Sequence, residues 1–142
     1  MSCCARLAVL LAGALVFQAA PAADDRGTPD DYAVLAYMHS VAWRYMARTC
    51  ERGVRDYRVQ FDAAYSAWER KNADTLKRGD RLFQRAKNRE WQGIPTTRVE
   101  ANEIARIEGV LKKSPDEVGP LELDADQRAG CEKLLKDLAA GT

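Results

Sequence analysis

The sequence predicts an all-α fold, an antiparallel bundle of about four helices with one disulfide, preceded by a signal peptide that is cleaved. Three observations predict it: an apolar leader, helix-start signals ahead of apolar residues at helical spacing, and two cysteines beyond the leader. No segment shows the sustained apolar and polar alternation of a half-buried strand. A chain of 142 residues suits one globular domain.

The N-terminal segment has the layout of a secretory signal peptide. An early arginine precedes an apolar run over residues 7–17, and small residues follow. The run is about half the roughly 20 residues that span a hydrocarbon core, so a membrane helix is the weaker interpretation. The tripeptide ending at Ala22 has the Ala-x-Ala pattern of a cleavage site. We therefore predict removal of residues 1–22, a single helical domain over residues 23–142, and a periplasmic or secreted location.

Removal of the leader takes Cys3 and Cys4 with it and leaves Cys50 and Cys131 in an oxidising compartment. These two cysteines have one possible pairing within the chain. The alternative is a pair of buried, reduced thiols that act as small apolar side chains. Helix order favours the disulfide, because short connections make neighbouring helices antiparallel and bring the end of the first helix near the start of the last.

The first helix is predicted to begin after Thr28 and to end near Gly53. Thr28 supplies an N-cap hydroxyl, Pro29 suits the first helical position, and two aspartates follow where the helix dipole favours them. Apolar residues then recur at steps of three and four. Gly53 is the residue best able to adopt a left-handed conformation at the helix end.

The second helix is predicted as one long element from about Arg55 to Glu90. Its inner face has residues at alternating steps of four and three, namely Phe61, Tyr65, Trp68, Asn72, Thr75, Gly79, Leu82 and Ala86. Glycine costs about 1 kcal/mol against alanine inside a helix. Gly79 therefore marks either the close approach of a neighbouring helix or a bend.

Two further helices are predicted from capping pairs. Thr97 with Glu100 opens a third helix, and Asp124 with Gln127 opens the last one. Between them, the helix-start pattern over residues 114–117 leaves room for a single turn before the next glycine and proline.

The composition argues against an enzyme, a metal centre and a nucleotide site. The 22 Lys and Arg balance 21 Asp and Glu, so no overall field attracts the chain to nucleic acid. The one histidine, His39, has no nucleophile or acid at helical spacing, and no glycine-rich nucleotide motif is present. A structural metal site needs about four ligands, which one histidine and scattered carboxylates do not supply. We predict a non-enzymatic protein with no metal or cofactor, in which His39 is a packing residue.

Asn72 and the aromatic residues around it are the first candidates for binding. A buried amide must find hydrogen-bond partners, so Asn72 either fixes the register of the helices or binds a ligand. The aromatic residues of the first two helices form either a core or the lining of a small-ligand cavity near Asn72.

A basic segment is the second candidate. Residues 70–89 contain eight lysines and arginines against two aspartates. This is either a solvated face balanced by the acidic residues after residue 100, or a surface that binds an acidic protein or an anionic envelope component. The candidate interaction residues are Trp68, Arg70, Asn72, Arg78, Arg81 and Arg85.

The pattern Phe61-x-x-x-Tyr65-x-x-Trp68-x-Arg70-x-Asn72 resembles that of small, uncharacterised exported helical proteins of proteobacteria. The resemblance covers most of the chain after the leader. It implies a helical fold in the cell envelope.

The shorter motif Tyr65-x-x-Trp68-x-Arg70 is similar to the motif around the tryptophan of LprI-type lysozyme inhibitors. Those proteins usually carry a cysteine shortly after the tryptophan, where this chain has Asp-Thr-Leu at residues 74–76. This more distant resemblance implies an inhibitor.

The predicted function is binding of another macromolecule, a protein or an anionic envelope component, as an inhibitor or immunity-type factor. The alternative is a small-ligand carrier with an aromatic-lined cavity between its helices. Neither function involves nucleic acid, and the chain after the leader is expected to have no transmembrane segment.

Overall fold

Five helices form the part of the chain that a computed structural model describes, residues 27–113 and 122–141, and this part contains no strand. They are α1 (Pro29–Gly53), α2 (Tyr57–Lys71), α3 (Ala73–Lys87), α4 (Arg98–Leu111) and α5 (Ala125–Ala140). The all-helical class is therefore confirmed for these residues. The predicted leader, its cleavage site and the single turn at residues 114–117 lie outside them. No described helix is both long and apolar enough to cross a membrane.

The central helix is α1, which contacts each of the other four helices. It begins as predicted, because the hydroxyl of Thr28 accepts from the amide of Asp31 at 3.2 Å and the Asp31 carboxylate accepts from the amide of Thr28 at 2.7 Å. It also ends at Gly53, but the predicted left-handed conformation there was wrong. Asp56 takes that conformation instead, with φ of 58°, and leads into α2. Its short polar side chain makes aspartate one of the residues that tolerate it.

Capping boxes also open α4 and α5, as predicted from the sequence. Thr97 pairs with Glu100, and Asp124 pairs with Gln127. Hydrogen bonds from Thr96 and Thr97 lower the pKa of Glu100 to about 2. These local pairs satisfy amide groups that a helix start otherwise leaves without partners.

The predicted long second helix is in fact two helices, α2 and α3, separated at Asn72. Asn72 departs from helical geometry, with φ of −109° and ψ of 13°. Its side-chain nitrogen and its backbone amide both donate to the carbonyl of Trp68, at 2.8 Å and 3.0 Å, so the two share that acceptor. The predicted end of this helix near Glu90 was also wrong. The helix α3 ends at Lys87, and the φ values of Glu90 and Trp91 are positive.

Gly79 marks a close approach of α3 to α1, one of the two predicted meanings of this glycine. A Cβ atom added there would lie 2.0 Å from the carbonyl oxygen of Ala33 and 2.8 Å from the Cβ of Tyr37. Any side chain would therefore force the two helices apart. The interruption of the long helix lies at Asn72, seven residues earlier.

The buried side chains form two clusters. One cluster lies between α1, α3 and α4 and includes Val41, Phe83 and Ala101, each fully buried. The other surrounds the cysteines and includes the aromatic residues of α2 and two leucines of α5, namely Tyr57, Phe61, Tyr65, Trp68, Leu134 and Leu138. Most of the predicted inner face of the second helix is thus core, although Phe83 was missing from it.

Cys50 and Cys131 meet in the second cluster, as predicted. Their sulfur atoms lie 2.00 Å apart and their Cα atoms 5.7 Å apart. The pair joins the end of α1 to the first half of α5. Tyr57 adds α2 to this junction, because its hydroxyl donates to the carbonyl of Cys131 at 3.1 Å.

The burial of Tyr57 predicts a loss of stability at high pH. Tyr57 is 1% exposed, and burial raises the pKa of its hydroxyl to about 12. An unfolded tyrosine ionises near pH 10, so between about pH 10 and 12 the unfolded chain releases a proton that the folded chain retains. The stabilisation is complete below pH 10 and decreases as the pH rises toward 12.

We therefore expect the free energy of unfolding to fall more from pH 9 to pH 11 in the wild type than in Tyr57→Phe. At pH 9 the variant loses about 1 kcal/mol, because the carbonyl of Cys131 loses its donor. Urea unfolding at both pH values measures the two differences. If the free energy of unfolding fell equally in the two proteins, the raised pKa would not belong to Tyr57.

Candidate binding surface

Trp68 is a core residue and not part of an exposed binding surface. It is 7% exposed, and its ring meets the ring of Trp43 edge-on with centroids 4.9 Å apart. Arg70, two residues later, is exposed. The structure therefore buries two residues of the short motif, Tyr65 and Trp68, and exposes the third, Arg70.

Asn72 is half-buried, whereas the sequence predicted a buried amide. Its hydrogen bond goes to the carbonyl of Trp68, four residues earlier in the chain. That bond lies within one continuous segment and does not join two helices. It lies at the interruption between α2 and α3.

The remaining predicted residues, Arg78, Arg81 and Arg85, share one side of α3. All three are exposed, and their spacing of three and four residues places them on successive turns. Arg89 continues the series just beyond the helix end. We call these four residues the α3 basic face.

The middle of the α3 basic face has no acidic partner among the described residues. Arg78 pairs with Asp30 of α1 at 2.5 Å. Arg85 instead donates to the backbone carbonyl of Arg81 at 3.4 Å, and neither guanidinium meets a carboxylate in the described part of the chain. Arg81 and Arg85 are therefore exposed positive charges that form no ion pair with a described residue.

The expected balance by the acidic residues after residue 100 is not seen where the structure describes the chain. There, no ion pair joins α3 to α4 or α5. The acidic Asp80 of α3 and Glu108 of α4 are both held by Gln84, whose amide nitrogen donates to them at 3.2 Å and 3.1 Å. With five lysines and arginines against two aspartates, α3 is locally basic.

The bonds of Gln84 belong to a buried polar cluster that sequence reasoning missed. Glu108 is 8% exposed and also accepts a hydrogen bond from the hydroxyl of Tyr37. Burial, together with the bond to Glu108, raises the pKa of Tyr37. The spacing of the residues could have indicated this cluster. Glu108 follows Ile104 by four residues and so lies on the inner face of the same helix.

This cluster borders an open groove of about 400 Å³ lined also by Arg44, Leu111 and Lys112. Every buried side-chain nitrogen and oxygen of the described residues has a hydrogen-bond partner. The cluster is thus a satisfied network that fastens α4 to α1 and α3, and it presents no free buried group to a ligand.

A second open groove, of about 320 Å³, lies between α1 and α2 and is lined mainly by charged residues. One of them, Arg48, already has hydrogen-bond partners within the protein. Its guanidinium donates to the carbonyls of Leu111 at 2.7 Å and Val110 at 3.1 Å. It therefore caps the end of α4. Asn72 lines neither groove, and the aromatic rings of α2 stack on one another, Phe61 on Tyr65 at 5.2 Å.

His39, which the sequence predicted to be a packing residue, is exposed. The imidazole ring stacks on the half-buried ring of Trp43, with centroids 5.8 Å apart. Among the described residues, no group of three or more His, Cys, Asp or Glu is arranged to hold a metal ion.

The fold and the α3 basic face define a small helical protein with a charged surface. Comparison of the chain with models of protein families, with curated proteins and with solved structures found no match.

Proposed function

We propose that this is an exported, non-enzymatic protein that binds an acidic surface of another protein through the α3 basic face. In this proposal residues 1–22 are removed on export and Cys50 is oxidised with Cys131. The helices α2 and α3 together take the place of the second helix in an antiparallel four-helix bundle. The observation that carries the proposal is the exposure of Arg81 and Arg85 without acidic partners among the described residues.

The chemistry of this face favours a protein partner. Guanidinium groups bind carboxylates through paired hydrogen bonds, and uncompensated charge of one sign speeds association with the opposite sign. A hollow of about 130 Å³ between Leu82, Arg85 and Arg89 could receive a side chain between the two arginines. Its mixed apolar and basic lining suits an acidic protein surface better than a uniform anionic polymer.

The resemblance to LprI-type inhibitors leads us to propose that binding inhibits or neutralises the partner. Arg70 is the exposed member of the shared motif, whereas Tyr65 and Trp68 are buried. A small-ligand carrier has less support, because the rings expected to line a cavity contact each other and Asn72 bonds to its own segment.

A charge-reversal experiment tests the proposal. Immobilised protein is used to capture partners from a periplasmic extract at low and high salt. The variant Arg81→Glu/Arg85→Glu is compared with Arg55→Glu/Lys133→Glu, which has the same net charge but changes exposed residues away from α3. We expect the α3 variant to lose at least about tenfold in affinity for the captured partner, equal to about 1.4 kcal/mol, and the control to retain it.

Salt dependence is the second measurement. Binding through exposed charges weakens as the ionic strength rises, because salt screens them. Equal capture by both variants, or capture that is independent of salt, would contradict the proposed surface.

A further inference from the structure

The hollow of about 130 Å³ at the end of the α3 basic face lies between the last turn of α3 and the chain that follows it. Its lining combines apolar, amide and guanidinium groups, from Leu82, Arg85, Ala86, Arg89, Gln92 and Gly93. We call it the α3 hollow. Ala86 is buried and Leu82 is half-buried, whereas the other four residues are exposed. The hollow therefore has an apolar floor and a polar rim.

The volume of the α3 hollow fits one side chain. An apolar cavity of roughly 150 Å³ holds a benzene molecule. A hollow of about 130 Å³ thus takes one branched aliphatic side chain, such as that of leucine, and not a longer stretch of a partner. Placing such a side chain on Leu82 and Ala86 removes apolar surface from water on both molecules.

Two guanidinium groups border the same apolar floor. Arg85 and Arg89 are four residues apart, and neither forms an ion pair with a carboxylate in the described part of the chain. Guanidinium groups bind carboxylates through paired hydrogen bonds. The α3 hollow is thus suited to a ligand that carries an apolar side chain and a carboxylate close to each other.

The turn beyond α3 holds one wall of the hollow in place. Glu90 and Trp91 have φ of 53° and 67°, a left-handed conformation that non-glycine residues rarely adopt. The amide of Trp91 donates to the carbonyl of Ala86 at 2.7 Å. The Trp91 ring packs on Phe83 with centroids 5.0 Å apart, and its indole nitrogen donates to Asn102 at 2.5 Å. Strained conformations persist where the surrounding structure enforces them, and they are concentrated at binding sites.

A C-terminal residue of a protein carries both required groups at one position. Its side chain and its α-carboxylate branch from the same Cα atom. An aspartate or glutamate within a chain would instead place its charge on the apolar floor, which is unfavourable. Backbone and side-chain donors are known to capture chain termini in this way.

We propose that the α3 hollow binds the C-terminal residue of the partner protein. Its apolar side chain packs on Leu82 and Ala86, and its α-carboxylate lies between Arg85 and Arg89. This inference rests on the proposed function of the α3 basic face and names the part of the partner that the face recognises.

Short acetylated peptides test the inference on the isotope-labelled, oxidised protein. Acetyl-Gly-Ser-Gly-Leu is titrated to about 10 mM while backbone and arginine side-chain NMR signals are recorded. We expect saturable shifts at Gln92, Gly93 and the guanidinium groups of Arg85 and Arg89. The carboxamide of the same peptide lacks the charge, and acetyl-Gly-Ser-Gly-Gly lacks the apolar side chain. Each is expected to bind at least about tenfold more weakly, because each loses one of the two contacts.

Two variants locate the site. Arg89→Gln removes one guanidinium group and is expected to bind the leucine peptide at least about tenfold more weakly than the wild type. Arg55→Gln makes the same change at an exposed position before α2 and is expected to bind like the wild type. Circular dichroism first establishes that both variants are folded.

Three results would overturn the inference. They are no shifts up to about 10 mM peptide, equal binding of the free acid and the carboxamide, and wild-type binding by Arg89→Gln. Equal binding of the carboxamide acetyl-Gly-Leu-Glu-Gly, in which the acid is internal, would likewise overturn it.

The outcome is separable from that of the proposed function. If the peptides do not bind but Arg81→Glu/Arg85→Glu still abolishes partner capture, the basic face binds its partner without the hollow and only this inference fails. If the leucine peptide binds but capture does not depend on Arg81 and Arg85, the hollow is a carboxylate site and the proposed surface fails.

Discussion

Loss of the Cys50–Cys131 bond is expected to lower the free energy of unfolding by about 4 kcal/mol. The two cysteines are 81 residues apart, so the bond closes a long loop and removes many conformations from the unfolded chain. Small domains are typically stable by about 5 to 15 kcal/mol. One bond between α1 and α5 thus supplies a large share of the stability.

Urea unfolding of the wild type and of Cys50→Ala/Cys131→Ala measures this effect. The variant should unfold at a much lower urea concentration, and the wild type in reductant should approach it. Reductant should leave the variant itself unchanged, which controls for other actions of the reagent. The same midpoint for oxidised wild type, reduced wild type and variant would show that the two thiols do not form the bond.

Gly79→Ala is expected to destabilise the protein by about 1 to 3 kcal/mol through overpacking. The new methyl group would lie 2.0 Å from the carbonyl oxygen of Ala33, a backbone atom that cannot rotate away. The helices must then separate, which also disturbs the Phe83 cluster between α1, α3 and α4. Alanine recovers up to about 1 kcal/mol through its higher helix propensity, so the measured loss is net of that gain.

Gly109→Ala is the matched control. Gly109 lies inside α4, and no atom lies within 4 Å of the position its Cβ would take. Here only the propensity gain acts, and we expect stabilisation of up to about 1 kcal/mol. Thermal unfolding of both variants should therefore show midpoints that move in opposite directions. A Gly79→Ala midpoint at or above that of the wild type would contradict the close packing of α3 on α1.

The helix starts could be predicted because capping is local. Thr28, Thr97 and Asp124 each bond to a residue three positions later, so the pattern is visible in a short window. The interruption at Asn72 could not be read in the same way, since apolar spacing continues on both sides of it. The interruption lies in the backbone angles of Asn72, which the apolar pattern does not report.

In the candidate surface, too, the features set by neighbouring residues could be predicted and those set by distant residues could not. The α3 basic face was visible because its arginines are close together in the chain and their spacing alone places them on one side. The cluster around Glu108 was missed because its partner Tyr37 is 71 residues away. The exposure of His39 likewise depends on which sides of α1 the other helices cover, which residues near His39 do not determine.

Intact-mass and peptide mass spectrometry of the protein from a bacterial periplasmic fraction, alkylated before any reduction, tests the account most directly. We predict a chain that begins near Ala23, resists alkylation, and releases one linked peptide pair containing Cys50 and Cys131. Recovery of material that retains residues 1–22, or in which both thiols are alkylated, would contradict the account.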